Sequence, residues 1–160
     1  VPDTSDVINY YNANKSVNYM EPEKFIVREI RVEKRSIADS LLLLLGAGAD
    51  FSLLAQKNSL TNPEDGGLYG PFSKNQNRSF FNAATLLEKN KISPILPSSG
   101  NNFSIIQLVE RVSKSPLSLE RVYTQIESLL IKKNQDDAMD VGVDGLLKVY
   151  SINKNMSLLN

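Results

Sequence analysis

Two stretches, residues 24–32 and 103–109, carry apolar residues on both faces of an extended chain, and nothing else in the sequence constrains the fold as strongly. In the first, Phe25, Val27, Glu29 and Arg31 share one face, and Ile26, Arg28, Ile30 and Val32 share the other. A half-solvated strand alternates apolar with polar residues, whereas apolar positions on both faces need cover from both sides. Both stretches are therefore expected inside a sheet, with other elements packed above and below.

Helices and turns separate them. Val7, Ile8, Tyr10 and Tyr11 predict a short lead-in helix with Asp3, Thr4 or Ser5 near its N-cap. Residues 36–45 read as a helix capped by Ser36. Gly46 and Gly48 interrupt it, and Asp50 then caps a second helical stretch through Phe51, Leu53, Leu54 and Ala55. The Gly-Ala-Gly run there is better read as helix termination than as a phosphate loop. Residues 59–70 are rich in turn formers, with Asn62, Pro63, Asp65, Gly66 and Gly67. A short strand at 69–72, a helix at 80–87 and an extended segment at 91–96, broken by Pro94, follow. Ser118 is expected to cap a long helix through Val122, Ile126 and Ile131. A separate helix is expected at 138–149, and a tail at 151–160 in which Met156, Leu158 and Leu159 seek a partner surface. Strand, helices, Gly-rich loop, helix and strand in that order imply an α+β fold with a mostly antiparallel sheet.

Composition closes off much chemistry. The 160 residues contain no Cys and no His, which excludes disulfides, thiol nucleophiles, thiolate zinc sites and the usual general base of hydrolase triads. No metal and no cofactor is expected. Lys plus Arg equals Asp plus Glu at 18 each, which gives no electrostatic case for a nucleic-acid partner. The longest apolar run, Leu41 to Leu45, is far shorter than the roughly 20 residues that span a bilayer. A chain that starts at Val1 is expected to be an excised or processed piece, and the lack of Cys fits an extracytoplasmic bacterial setting.

Six motifs in order then resemble the parvulin-type peptidyl-prolyl isomerases of bacterial exported chaperone-isomerases. Gly48-Ala49-Asp50-Phe51 with Leu54-Ala55 is similar to the family's helix start. Gly66-Gly67-Leu68-Tyr69-Gly70-Pro71-Phe72 is similar to its Gly-rich loop and strand, and Phe80 with Ala83-Ala84 to its following helix. Lys91-Ile92-Ser93-Pro94-Ile95 and the strand Phe103-Ser104-Ile105-Ile106-Gln107-Leu108 complete the core of the pattern. Tyr10-Tyr11-Asn12 resembles the lead-in of these proteins, and the segment after Arg111 resembles their C-terminal helical region. The resemblance implies a four-stranded antiparallel sheet with surrounding helices, extended by helical flanks. It divides the chain into a lead-in (1–23), a parvulin-like domain (24–112) and a C-terminal helical extension (113–160).

The departures bear on activity. Where the family carries a His in its first strand, this chain has Glu29; the second His falls at Ser104, and the family's Cys or Asp falls near Thr61. The Asp of the Gly-rich loop becomes Leu68, and the Met of the proline pocket becomes Gln76 or Asn77. The pocket aromatic is kept as Phe80, with Tyr69 and Phe72 beside it, and these with Gln76 are the expected substrate-binding residues. Phe80 is equally open to a reading as core, and Gln76 is expected to leave the groove wetter and less able to grip proline.

Prolyl isomerisation breaks no covalent bond; its barrier of about 20 kcal/mol reflects the amide resonance lost as the C–N bond twists. A catalyst can act by binding the twisted amide best, so no acid–base residue is compulsory. Two readings of the substituted positions stand side by side. In one, Ser104 donates to the Glu29 carboxylate with Thr61 above, as a replacement polar network. In the other, Glu29 is a strand carboxylate paired with Arg31 or Lys24. Arg28, Lys34 and Arg35 are either a solvated strand end or, as in phosphate-directed relatives, a basic cluster.

The leading expectation is a domain that binds unfolded or proline-containing polypeptide in an exported, periplasmic folding factor, with weak or no isomerase activity. An active isomerase is the second reading. A scaffold module whose groove is filled by its own flanks, or by a homodimer formed through them, is the third.

Overall fold

The computed structural model describes residues 1–157; the expectations placed on Leu158 and Leu159 lie outside the described residues. The chain forms two compact units. One is residues 21–115, and the other joins residues 1–20 to the segment from Pro116 onward. Two short strands, β1 (Met20–Glu21) and β6 (Ser115–Pro116), pair with each other where the chain passes between them.

The first unit is α+β. Its sheet has β2 (Lys24–Val32), β3 (Leu68–Phe72), β4 (Leu96–Ser98) and β5 (Asn102–Val112) in the order β3-β2-β5-β4, all antiparallel. The two doubly apolar stretches are the two central strands, with Val32 opposite Phe103 and Ile30 opposite Ile105. Each sheet face carries its own core. On one, Phe25, Val27, Ile106 and Leu108 pack with Phe72 and with Phe80 and Ala84 of α4 (Arg78–Thr85). On the other, Ile30, Val32 and Ile105 pack under α2 (Arg35–Gly46) and α3 (Phe51–Asn58). The leucine run obeys helical geometry: Ala38, Leu41, Leu42 and Leu45 turn to the sheet, while Leu43 and Leu44 are exposed.

Local chemistry fixes several ends. Asp50 accepts from the Leu53 N–H at 2.9 Å and caps α3. Asn77, one of the two residues read at the Met position of the proline pocket, caps α4 by accepting from the Phe80 N–H at 3.1 Å. Ser36 does not cap α2: the helix starts one residue earlier, because the Lys34 carbonyl already accepts from Ile37 and Ala38. Gly67 has φ +76°, and a Cβ there would lie against the Glu29 carbonyl oxygen, so the loop can approach β2 only as glycine. That approach is real: the Glu29 N–H donates to the Gly67 carbonyl at 2.7 Å.

The second unit pairs α1 (Thr4–Asn18) with α5 (Leu119–Ser157) around Val7, Tyr19, Val122 and Ile126. Asp3 and Asp6 form a reciprocal capping box at the start of α1. The Asp6 backbone N–H, and after it the Ser5 hydroxyl, hold the Asp3 carboxyl below its ordinary range. Tyr19 is pushed the other way by burial, with Tyr10 adding to it. The expected break after Ile131 and the expected tail from Ser151 are both corrected, since α5 runs unbroken for 39 residues. The intervening Lys132-Lys133-Asn134-Gln135-Asp136-Asp137 holds neither Gly nor Pro, and it places Lys132 and Lys133 four residues before Asp136 and Asp137. No helix among the described residues is long and apolar enough to cross a membrane.

Candidate functional site

Glu29 stands in the middle of β2 on the face that carries Phe25 and Val27, with its side chain only 4% exposed. Its Oε1 accepts from the Ser104 hydroxyl of β5 at 2.6 Å and from Arg31 Nε at 2.9 Å, and its Oε2 accepts from the Thr61 hydroxyl at 3.2 Å. Glu29 lies opposite Ile106, so Ser104 is its diagonal neighbour on the same sheet face, within side-chain reach. The three substituted positions thus come together, and Arg31 joins them. The two readings of Glu29 are both present geometrically, as one carboxylate serving hydroxyls and guanidinium at once.

Thr61 is held by Ser59, which the sequence reading placed only at the start of the loop. The Ser59 hydroxyl accepts from the Arg31 and Thr61 backbone N–H groups at 3.1 and 3.3 Å, and donates to the Thr61 carbonyl at 2.9 Å. Ser59 also ends α3, so one residue stops a helix and ties the next loop to β2. Its spacing from Glu29 carries no sequence signal; only the fold brings them together.

Beside this network, Asn62, Leu68, Tyr69, Gly70, Pro71, Phe72 and Gln76 line an open groove of about 360 Å³. Tyr69 stacks on Phe72 at 5.0 Å between ring centroids. Phe80 meets both edge-on, at 5.9 Å from Tyr69 and 6.3 Å from Phe72. Phe80 is 3% exposed and belongs to the core beneath the groove, so it supports Tyr69 and Phe72 and is not part of the wall. Gln76 does line the groove, with its carbonyl oxygen engaged by the Ser73 N–H at 2.8 Å and the Ser73 hydroxyl at 3.2 Å. Asn62, read from the sequence only as a turn former, donates to the Leu68 carbonyl at 3.0 Å and braces the rim.

Arg28 is spent on the Gly-rich loop, donating through Nη1 to the Asp65 and Gly66 carbonyls at 2.8 and 2.9 Å. A second hollow in the same unit, about 650 Å³ and lined by Glu88, Lys89, Glu110 and Arg111 among others, presents mixed charges and no buried network. Among the described residues no group of acidic side chains is placed to hold a metal ion.

A twisted four-stranded antiparallel sheet, helices on both faces, a Gly-rich loop against the first central strand and an aromatic groove beside it define a parvulin-type domain. The sequence pattern of the PPIC-type peptidyl-prolyl isomerase (PPIase) domain matches residues 2–124, and the chain belongs to that family. It is 33% identical over 116 residues to the chaperone SurA of Thiobacillus denitrificans, a match that covers 71% of this chain and 26% of that protein. The chain therefore spans about a quarter of that relative's length. A Campylobacter jejuni structure from work on PEB4 and the periplasmic protein Cj1289, described as SurA-like chaperones, superposes with a TM-score of 0.64 at 22% identity. That match covers 92% of this chain and 62% of the other. The parvulin domain of PpiD from E. coli gives 0.50 at 26% identity, covering 58% of this chain and 92% of that domain. The peptidylprolyl isomerase PrsA of Bacillus anthracis gives 0.53 at 24% identity, with 82% and 56% covered.

Proposed function

We propose that this domain binds unfolded or proline-containing polypeptide at the Tyr69–Gln76 groove, as part of an exported, periplasmic folding factor, with weak or no isomerase activity. The observation that carries this reading is the state of the Glu29 carboxylate. Three donors from three places in the chain converge on it, so its role is to orient its neighbours beneath the groove. The groove supplies aromatic surface at Tyr69, backed by the buried Phe72, for a proline ring, while Gln76 at its rim makes it wetter than a pocket closed by an apolar side chain. A chaperone among the relatives fits the binding of polypeptide, and a peptidylprolyl isomerase among them fits a proline-containing partner.

A second reading, an active isomerase, draws on the same cluster: Glu29, Thr61 and Ser104 remain a connected polar group beside the groove, and catalysis by differential binding needs no more. NMR exchange measurements on a panel of X-Pro peptides separate the two. The expected result is exchange close to the rate in buffer, together with suppressed aggregation of a denatured client. Clear acceleration that Tyr69→Ala removes would overturn the first reading in favour of the second.

A further inference from the structure

Hydrogen-bond direction in the Glu29 network has a consequence for what the site can recognise. A carboxylate facing a guanidinium at 2.9 Å only accepts, so the Ser104 and Thr61 hydroxyls must each point their one proton at it. Ser104 is fully buried, with its hydroxyl on Glu29. Thr61 is half-buried and directly precedes Asn62 of the groove wall, and with its one proton given to Glu29 its hydroxyl has only lone pairs left to offer. Its backbone is committed as well, since both the N–H and the carbonyl are held by Ser59. Arg31 has the opposite polarity: Nε is given to Glu29, and the Nη groups sit at the tip of a side chain 23% exposed, where they can only donate.

We propose that Thr61 and Arg31, held on opposite oxygens of the Glu29 carboxylate, form a paired acceptor and donor that reads the polypeptide backbone, Thr61 taking an amide N–H and Arg31 a carbonyl next to the proline. The partner is thus an extended segment recognised by its peptide groups, and its side chains matter little. Proline itself lacks an N–H, so the acceptor falls on a flanking residue. Glu29 is the positioning residue, because it alone forces the Thr61 proton inward. The inference rests on the proposed peptide-binding groove.

The test titrates the whole chain with a blocked, proline-centred pentapeptide and with analogues N-methylated at one amide at a time, followed by NMR. Loss of one neutral hydrogen bond predicts that a single N-methylation weakens binding roughly three- to tenfold while the others do less. That penalty disappears in Thr61→Val and survives in Thr61→Ser. It shrinks in Glu29→Gln, where a carboxamide can donate to the hydroxyls and release the Thr61 proton outward. A purely structural role would lower binding of all analogues alike. Identical N-methylation penalties in the folded Thr61→Val variant and the parent overturn the backbone-reading inference alone. Failure of the parent peptide to bind overturns the peptide-binding reading along with it.

Discussion

The sheet unit and the helical unit reach stability by different routes. In the sheet unit two clusters sandwich one layer, so β2 and β5 are covered from above and below and even a carboxylate is buried there with three partners. In the helical unit a single seam, Val7 and Tyr19 against Val122 and Ile126, carries the buried contacts. Further along α5, Met139, Val143, Leu146 and Tyr150 are each more than half exposed. A precise polar constellation survives only where packing over-determines its side chains, and the sheet unit provides that. The helical seam holds two helices together without fixing a site.

The sharpest way to break this comparison is at the centre of the double cover. Phe25 is fully buried, packs edge-on against Phe81 at 4.9 Å and lies under the Arg111 guanidinium at 5.1 Å. Phe25→Ala is expected to cost about 3–5 kcal/mol in chemical denaturation, because the well-packed sheet face collapses only partly around the void. A loss under about 1 kcal/mol would mean that the cluster is loosely packed and that the contrast with the helical seam is false.

Much of this architecture was legible because its signals are local. The two faces of residues 24–32 fix an interior strand, Asp50 announces a helix start, and Gly66-Gly67 announces a loop. The meeting of Glu29, Ser104 and Thr61 was accessible only through the family pattern, since 75 residues separate Glu29 from Ser104. The hydrogen-bonding roles of Ser59, Asn62 and Asn77 were not legible for a common reason: the caps and braces made by small polar residues are decided by which backbone group the fold brings within 3 Å or so. Phe80 was ambiguous because a helix-borne aromatic satisfies core and groove alike, and in the fold it is buried in the core cluster beneath Tyr69. The continuity of α5 was hidden by its polar middle, whose spaced opposite charges favour helix as readily as loop.

The helical seam supplies the next test. Ile126 is fully buried in a four-residue cluster, and Ile126→Ala is expected to cost about 2–3 kcal/mol, the lower part of the range for such truncations. The decisive readout is where the loss falls. Amide hydrogen exchange is expected to quicken in α1 and the first turns of α5 while β2 and β5 keep their protection, since the two cores share no buried residue. Equal loss in the strands would make the chain one cooperative block and end the distinction drawn between the units.

The smallest effect is expected furthest along α5. Leu146 is 72% exposed, so replacing it removes little area from contact with protein, and Leu146→Gln is expected to change stability by less than about 0.5 kcal/mol. Helix propensity does not oppose the change, because Gln and Leu are close in that respect. The same reasoning makes the experiment discriminating. Were Leu146 held against another surface in solution, the polar amide would be buried without a partner and the cost would rise to about 1–3 kcal/mol. A near-zero value in the isolated chain, set beside the several kcal/mol expected at Phe25, would place the two ends of this molecule's packing on one scale.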